Sequence, residues 1–223
     1  MSKYIIGLLS LTLSIGAGAT DIEFPSDSDV SIVAKDIYMN GNQISIWQVK
    51  NSLTKQEHAN FYAESWIGNG NNFGVKNLKS ETVVSKLRDQ NLMTAQVMQS
   101  YPNSVALVSI SHKPTNAMAR IVNKIADIPK PSGSKVFNEI KAKDGAKYSA
   151  TLVLSNKRSI ASNISFYISY IKNQGFTIDR VEEYKKKREG VILARRGPNE
   201  FNATFHKKNN QTFITAIRVD ADI

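Results

Sequence analysis

Cysteine is absent from the 223 residues, so the chain is neither a disulfide scaffold nor a lipoprotein attached through an N-terminal cysteine. Histidine is scarce. His58, His112 and His206 stand apart, with no HxxxH or HExxH spacing, which leaves no local zinc site. No G-x-S-x-G, G-x-G-x-x-G or Walker sequence occurs, and Gly68-Asn69-Gly70 lacks the later glycine of a nucleotide-binding loop. The acidic residues offer no hydrolytic pair. Asp21, Glu23, Asp27 and Asp29 fall in a segment read as an extended, flexible lead-in, and Glu182-Glu183 abuts a lysine run that neutralises it. The chain therefore reads as non-catalytic, with no cofactor or metal indicated. A secreted hydrolase is an alternative that needs distant His, Asp or Glu residues to converge in a pocket.

Long apolar runs are lacking too, with one exception at the N-terminus. Lys3 precedes an apolar stretch from Tyr4 to Ile15, and Ala17 and Ala19 form the small pair of a signal-peptidase site. The stretch is too short, and too broken by Ser and Gly, to span a bilayer. Residues 1–19 are therefore expected to be a cleaved signal peptide, and the mature protein to be periplasmic or secreted in a bacterium, without a transmembrane segment.

What the sequence does contain is a plan used twice. Ser159 to Phe176 organises the chain: Ile160, Ile164, Tyr167, Ile168 and Ile171 recur at helical spacing, Ser159 can cap the start, and Gly175 suits the left-handed residue that ends a helix. A shift of 105 residues superposes Phe166-Tyr167 on Phe61-Tyr62, Ile171 on Trp66 and Ser159 on Thr54. Asp144-Gly145 matches Asn40-Gly41 at a shift of 104, and each pair marks a hairpin turn. Thr54-Lys-Gln-Glu57 is a capping box for the earlier helix.

Strands are expected on both sides of each helix. Each unit is then an antiparallel sheet packed against one helix, in an α+β fold. An extra helix is predicted near residues 115–126, covering the first sheet. The expected division is a first unit over residues 20–128, a linker at 129–134 rich in Pro, Gly and Ser, and a second, basic unit over 135–223.

Charge is divided unevenly. The formal net charge is +10, and residues 131–223 hold 17 Lys and Arg against 9 Asp and Glu. Long-range attraction for anions must reside there. Lys185, Lys186, Lys187 and Arg188, with Lys207 and Lys208, are expected in turns, while Arg195-Arg196 ends a strand. Together they form a candidate basic rim. Trp47 and Trp66 belong to the first unit alone and are candidate contact aromatics.

Phe201, Ala203 and Phe205 alternate toward a core that Phe213 is expected to join, which disfavours nucleic acid because no aromatics then alternate with the basic residues. The reading that follows is an exported, non-catalytic binding or assembly protein of the bacterial envelope, engaging a macromolecular partner such as an envelope protein or an anionic surface, with peripheral membrane contact left open. The alternative within the binding class is a polyanion binder that takes acidic glycan, lipopolysaccharide or nucleic acid through the second unit.

Overall fold

The computed structural model describes residues 22–67 and 72–222. The expected signal peptide and Gly68-Asn69-Gly70 lie outside the described residues. Among these residues twelve strands form one antiparallel sheet, and three helices accompany it.

The chain enters through β1 (Asp29–Met39), turns into β2 (Asn42–Asn51), crosses in helix α1 (Lys55–Trp66), and returns through β3 (Phe73–Asn77), β4 (Glu81–Arg88), β5 (Asn91–Ser100) and β6 (Asn103–His112). After α2 (Asn116–Lys124) the same series recurs. It runs through β7 (Lys135–Asp144), β8 (Lys147–Asn156), α3 (Ile160–Asn173), β9 (Thr177–Tyr184), β10 (Glu189–Arg196), β11 (Asn199–Lys208) and β12 (Gln211–Ala221). The strand order β3-β4-β5-β6-β2-β1-β7-β8-β12-β11-β10-β9 reads identically outward from its centre when each strand is matched to its counterpart. The expected pair of related α+β units is thus present, fused edge to edge.

Local signals set the helices. Thr54 and Glu57 make the reciprocal capping box of α1, and Ser159 Oγ accepts from Ser162 N at the start of α3. Gly175, at φ +75°, ends α3 while Phe176 N donates to Ile171 O. One alignment detail differs from expectation. The hairpin pairs Met39–Asn42 and Asp144–Lys147 fix the shift at 105, so the loops are Asn40-Gly41 and Gly145-Ala146. The second turn needs positive φ only at its glycine, and the aspartate stays in the strand.

Two cores lie under the helices. Tyr62, Trp66 and Ala59 of α1 pack on Val49, Val84, Met93, Ala95, Val97, Ala106 and Val108. Tyr167, Ile171, Ile164 and Ile160 of α3 pack on Leu152, Leu154, Ile192, Phe201, Phe205 and Ile214. Helix α2 differs from expectation: it does not cover the first sheet but sits over the seam, against β7 and β1. Ile121, Ile125 and Ile128, along and just after it, join the second core. The lead-in also differs. Ile22 and Phe24 pack on the first core, Phe24 meets Trp47 with ring centroids 6.3 Å apart, and Asn51 Nδ2 donates to Ser26 O, so the segment is packed down rather than loose.

The seam is narrow. Strands β1 and β7 pair only at Tyr38–Lys141 and Met39–Ile140. Asn40 extends the joint: its N–H donates to Glu139 O, its Oδ1 accepts from Glu139 N, and its Nδ2 donates to Asn138 Oδ1. Tyr38 is also paired with Gln43, and Lys141 with Ala150, so the ladder carries the face bearing α1 directly into the face bearing α3. The helices share one side of the sheet. Among the described residues no helix covers the other side.

Candidate functional site

The meander of the second unit sends every second connection to one end of the sheet. The loop between β8 and α3, the β9/β10 turn, the β11/β12 turn and the start of β7 all meet there. That end carries Lys135, Lys157, Arg158, Lys185, Lys186, Lys187, Arg188, Lys207 and Lys208. None of these nine has a carboxylate partner among the described residues. Lys207 N donates to Arg188 O, which joins the two lysine-bearing turns. Five interstrand steps separate β7 from β9, so the rim is about 24 Å long. A shallow concavity of about 400 Å³ opens on it, lined by Lys135, Lys157, Arg158, Ser155 and Gln211.

The opposite end of the same half-sheet is built differently. Arg195 pairs with Asp179 at 3.0 Å, Arg218 with Asp220 at 2.7 Å and Lys143 with Asp222 at 2.8 Å. Arg196 donates to Gln174 O and lies 5.2 Å from the Phe176 ring centroid. The sequence-selected rim is therefore divided. Lys185 to Arg188 and Lys207-Lys208 come together, whereas Arg195 and Arg196 stand at the far end with partners of their own.

Lys135, Lys157 and Arg158 join the cationic end, although no local sequence motif marks them. Their signal was the meander itself, since alternate turns of antiparallel strands fall on one side. Neither tryptophan reaches the rim. Trp66, the last residue of α1, is buried in the first core, and Trp47 is half-buried against Phe24.

One strand row inside the rim, the register places Tyr184, Glu189, His206, Phe213, Ser155 and Lys135 directly opposite one another across six strands. This row faces the uncovered side, because the next residues along, Gly190, Phe205, Ile214 and Leu154, face the core. Phe213 is thus not a core residue as expected. It is 38% exposed and stacks on Phe137, which is 42% exposed, with centroids 6.2 Å apart and planes at 15°. Phe201 and Phe205 do lie in the core. Lys135 Nζ stands 5.6 Å from the Phe137 centroid and Lys187 Nζ 6.0 Å from that of Tyr184. Tyr184, Val191, Thr204, His206 and Phe213 line a second concavity of about 360 Å³. His206 Nδ1 lies 3.8 Å from Glu189 Oε1, the acid within the row.

Chemistry of the hydrolytic kind has one superficial candidate. His58 Nδ1 lies 2.8 Å from Ser104 Oγ, a nucleophile-to-base distance. Both side chains are fully buried beneath α1, and Tyr62 stacks on the imidazole. Burial pushes the His58 pKa down to about 4, so the ring is neutral, and no substrate can reach the serine. Among the described residues no three His, Cys, Asp or Glu side chains group as metal ligands, and no helix is long and apolar enough to cross a membrane.

No protein-family model and no curated protein matches the chain. Among solved structures, the immunity protein TplEi of the T6SS from Pseudomonas aeruginosa, complexed with an "L" peptide, aligns over 87% of this chain and 82% of its own, with 9% identity and a TM-score of 0.29. A likeness that slight carries no functional argument.

Proposed function

We propose that this is an exported, non-catalytic binding protein of the bacterial envelope, which engages an anionic macromolecular partner through the cationic end of its second half-sheet. The observation that carries the reading is the segregation of charge. At one end Lys143, Arg195, Arg196 and Arg218 are paired with acids or stacked and Lys147 and Lys172 are not, while at the other all nine basic residues lack an ion-pair partner among the described residues. Holding like charges together costs free energy through mutual repulsion, which a negatively charged partner offsets. The half-exposed aromatics beside the rim supply contact area of the kind that anchors interfaces.

The test is capture of a specific partner from envelope extracts by the mature chain, compared with a variant carrying Lys185→Gln, Lys186→Gln, Lys187→Gln and Arg188→Gln together. Recovery is expected to fall steeply between about 50 and 200 mM salt and to be lost in the variant. Recovery indifferent to both would refute the role of the rim.

A further inference from the structure

We infer that the anionic partner is a single-stranded nucleic acid, laid along the rim with its phosphates on the lysines and its bases on the aromatic row of the uncovered face. This rests on the proposed role of the rim and adds to it an independent observation. Tyr184, His206 and Phe213 share one transverse row on the open face, with Phe137 stacked on Phe213, and the row runs parallel to the line of cations one residue away.

A plain polyanion would use the cations alone and would leave those rings idle. Rings half open to water on a sheet face, beside a strip of unpaired lysines, match what an unpaired strand requires. Its backbone tracks positive charge, and each base presents a flat face that stacks on any aromatic ring. The row and the rim lie about one strand residue apart, near 3.4 Å along the strand, which long lysine side chains extend toward the reach between a base and its own phosphate. Glu189 is the carboxylate in the row, and as an acceptor it can take a hydrogen bond from a base N–H, the N3–H of thymine included. No groove deep enough for a duplex is needed, and the concavities along this end are shallow and open.

The experiment uses the full mature chain and three probes matched for charge: a labelled single-stranded oligothymidylate of about ten nucleotides, inorganic polyphosphate and polyglutamate. Fluorescence anisotropy and competition are read for wild type, for Phe213→Ala, for Phe137→Ala and for the fourfold Lys185-to-Arg188 glutamine variant. Phe137 and Phe213 pack outside the core, so their alanine variants keep the fold, which circular dichroism verifies.

Each phenylalanine substitution is expected to weaken oligothymidylate binding roughly tenfold while leaving polyphosphate binding unchanged. The rim variant is expected to lose both. Equal oligothymidylate affinity in the phenylalanine variants overturns the inference. So does tighter binding of polyglutamate than of oligothymidylate, which makes the occupant an acidic protein segment. If polyphosphate binds and oligothymidylate does not exceed it, the rim reading stands and the nucleic acid reading falls. If the rim variant binds every probe as wild type does, the rim reading itself fails.

Discussion

Tyr62 and Tyr167 occupy the same place in the two units, 105 residues apart, and each is fully buried with its hydroxyl making no hydrogen bond among the described residues. Each meets the preceding phenylalanine edge-on, Phe61 or Phe166, at about the same separation, 5.2 Å and 5.1 Å. Burial raises the pKa of both phenols, so neither ionises in the folded protein at ordinary pH. A buried hydroxyl without a partner costs roughly 1 to 3 kcal/mol of desolvation. Tyr167→Phe is therefore expected to raise the unfolding free energy by about 1 kcal/mol, read from urea melts. Tyr62→Phe is expected to do the same, and a loss of stability in either would mean that the hydroxyl has a bonding role.

His58 makes the first unit acid-sensitive. Its folded pKa of about 4 lies below the unfolded value near 6.5, so the unfolded chain takes up the proton first as pH falls. The stability this group contributes is intact above pH about 6.5 and is drained between there and about 4, a loss on the order of 3 kcal/mol. The second unit has Asn163 at the matching position, where it bonds Asn156. His58→Asn should lower stability modestly at neutral pH and flatten the acid limb of a stability-versus-pH curve. An unchanged limb would assign the acid sensitivity to other groups.

Gly190 is held by crowding rather than by its backbone angle. A Cβ there would sit 2.9 Å from Ile160 Cγ2, 3.1 Å from Ile164 Cδ1 and 3.3 Å from Glu182 O. Gly190→Ala must push α3 off β10, at a cost of about 1 to 3 kcal/mol in thermal or denaturant unfolding. A cost near zero would show that the helix is free to shift.

The rim lysines should matter little to folding. Since Lys185 to Arg188 have no ion-pair partner among the described residues, neutralising all four is expected to change the unfolding free energy by less than about 0.5 kcal/mol per site. A larger drop would reveal a structural task and would remove that variant as a probe of binding.

Much of the architecture could be read from the residues. The caps at Thr54 and Ser159, the terminating Gly175 and the helical stripe from Ile160 to Ile171 are local signals, and local signals survive folding unchanged. The repeat was visible because the same caps and aromatics recur in order. The side chosen by Phe213 was not. In β12, Phe213 and Ile217 alternate with Ile214, Ala216 and Val219's neighbour Arg218, so both faces carry apolar residues and parity alone cannot choose between them. Register against β8 and β11 decides it, and that is a long-range fact. The grouping of Lys135 and Lys157 with Lys185 to Arg188 is likewise set by strand order, which no single stretch encodes.

Beneath α2, the strand pairing at the seam between β1 and β7 consists of two residue pairs and the three bonds of Asn40, whereas every other neighbouring pair of strands shares at least five registered positions. Under tension applied across the strands, this is where the molecule should part first, leaving two intact six-stranded halves tethered by the chain. A stretched single molecule would then lengthen in two stages, a small early one and a large late one.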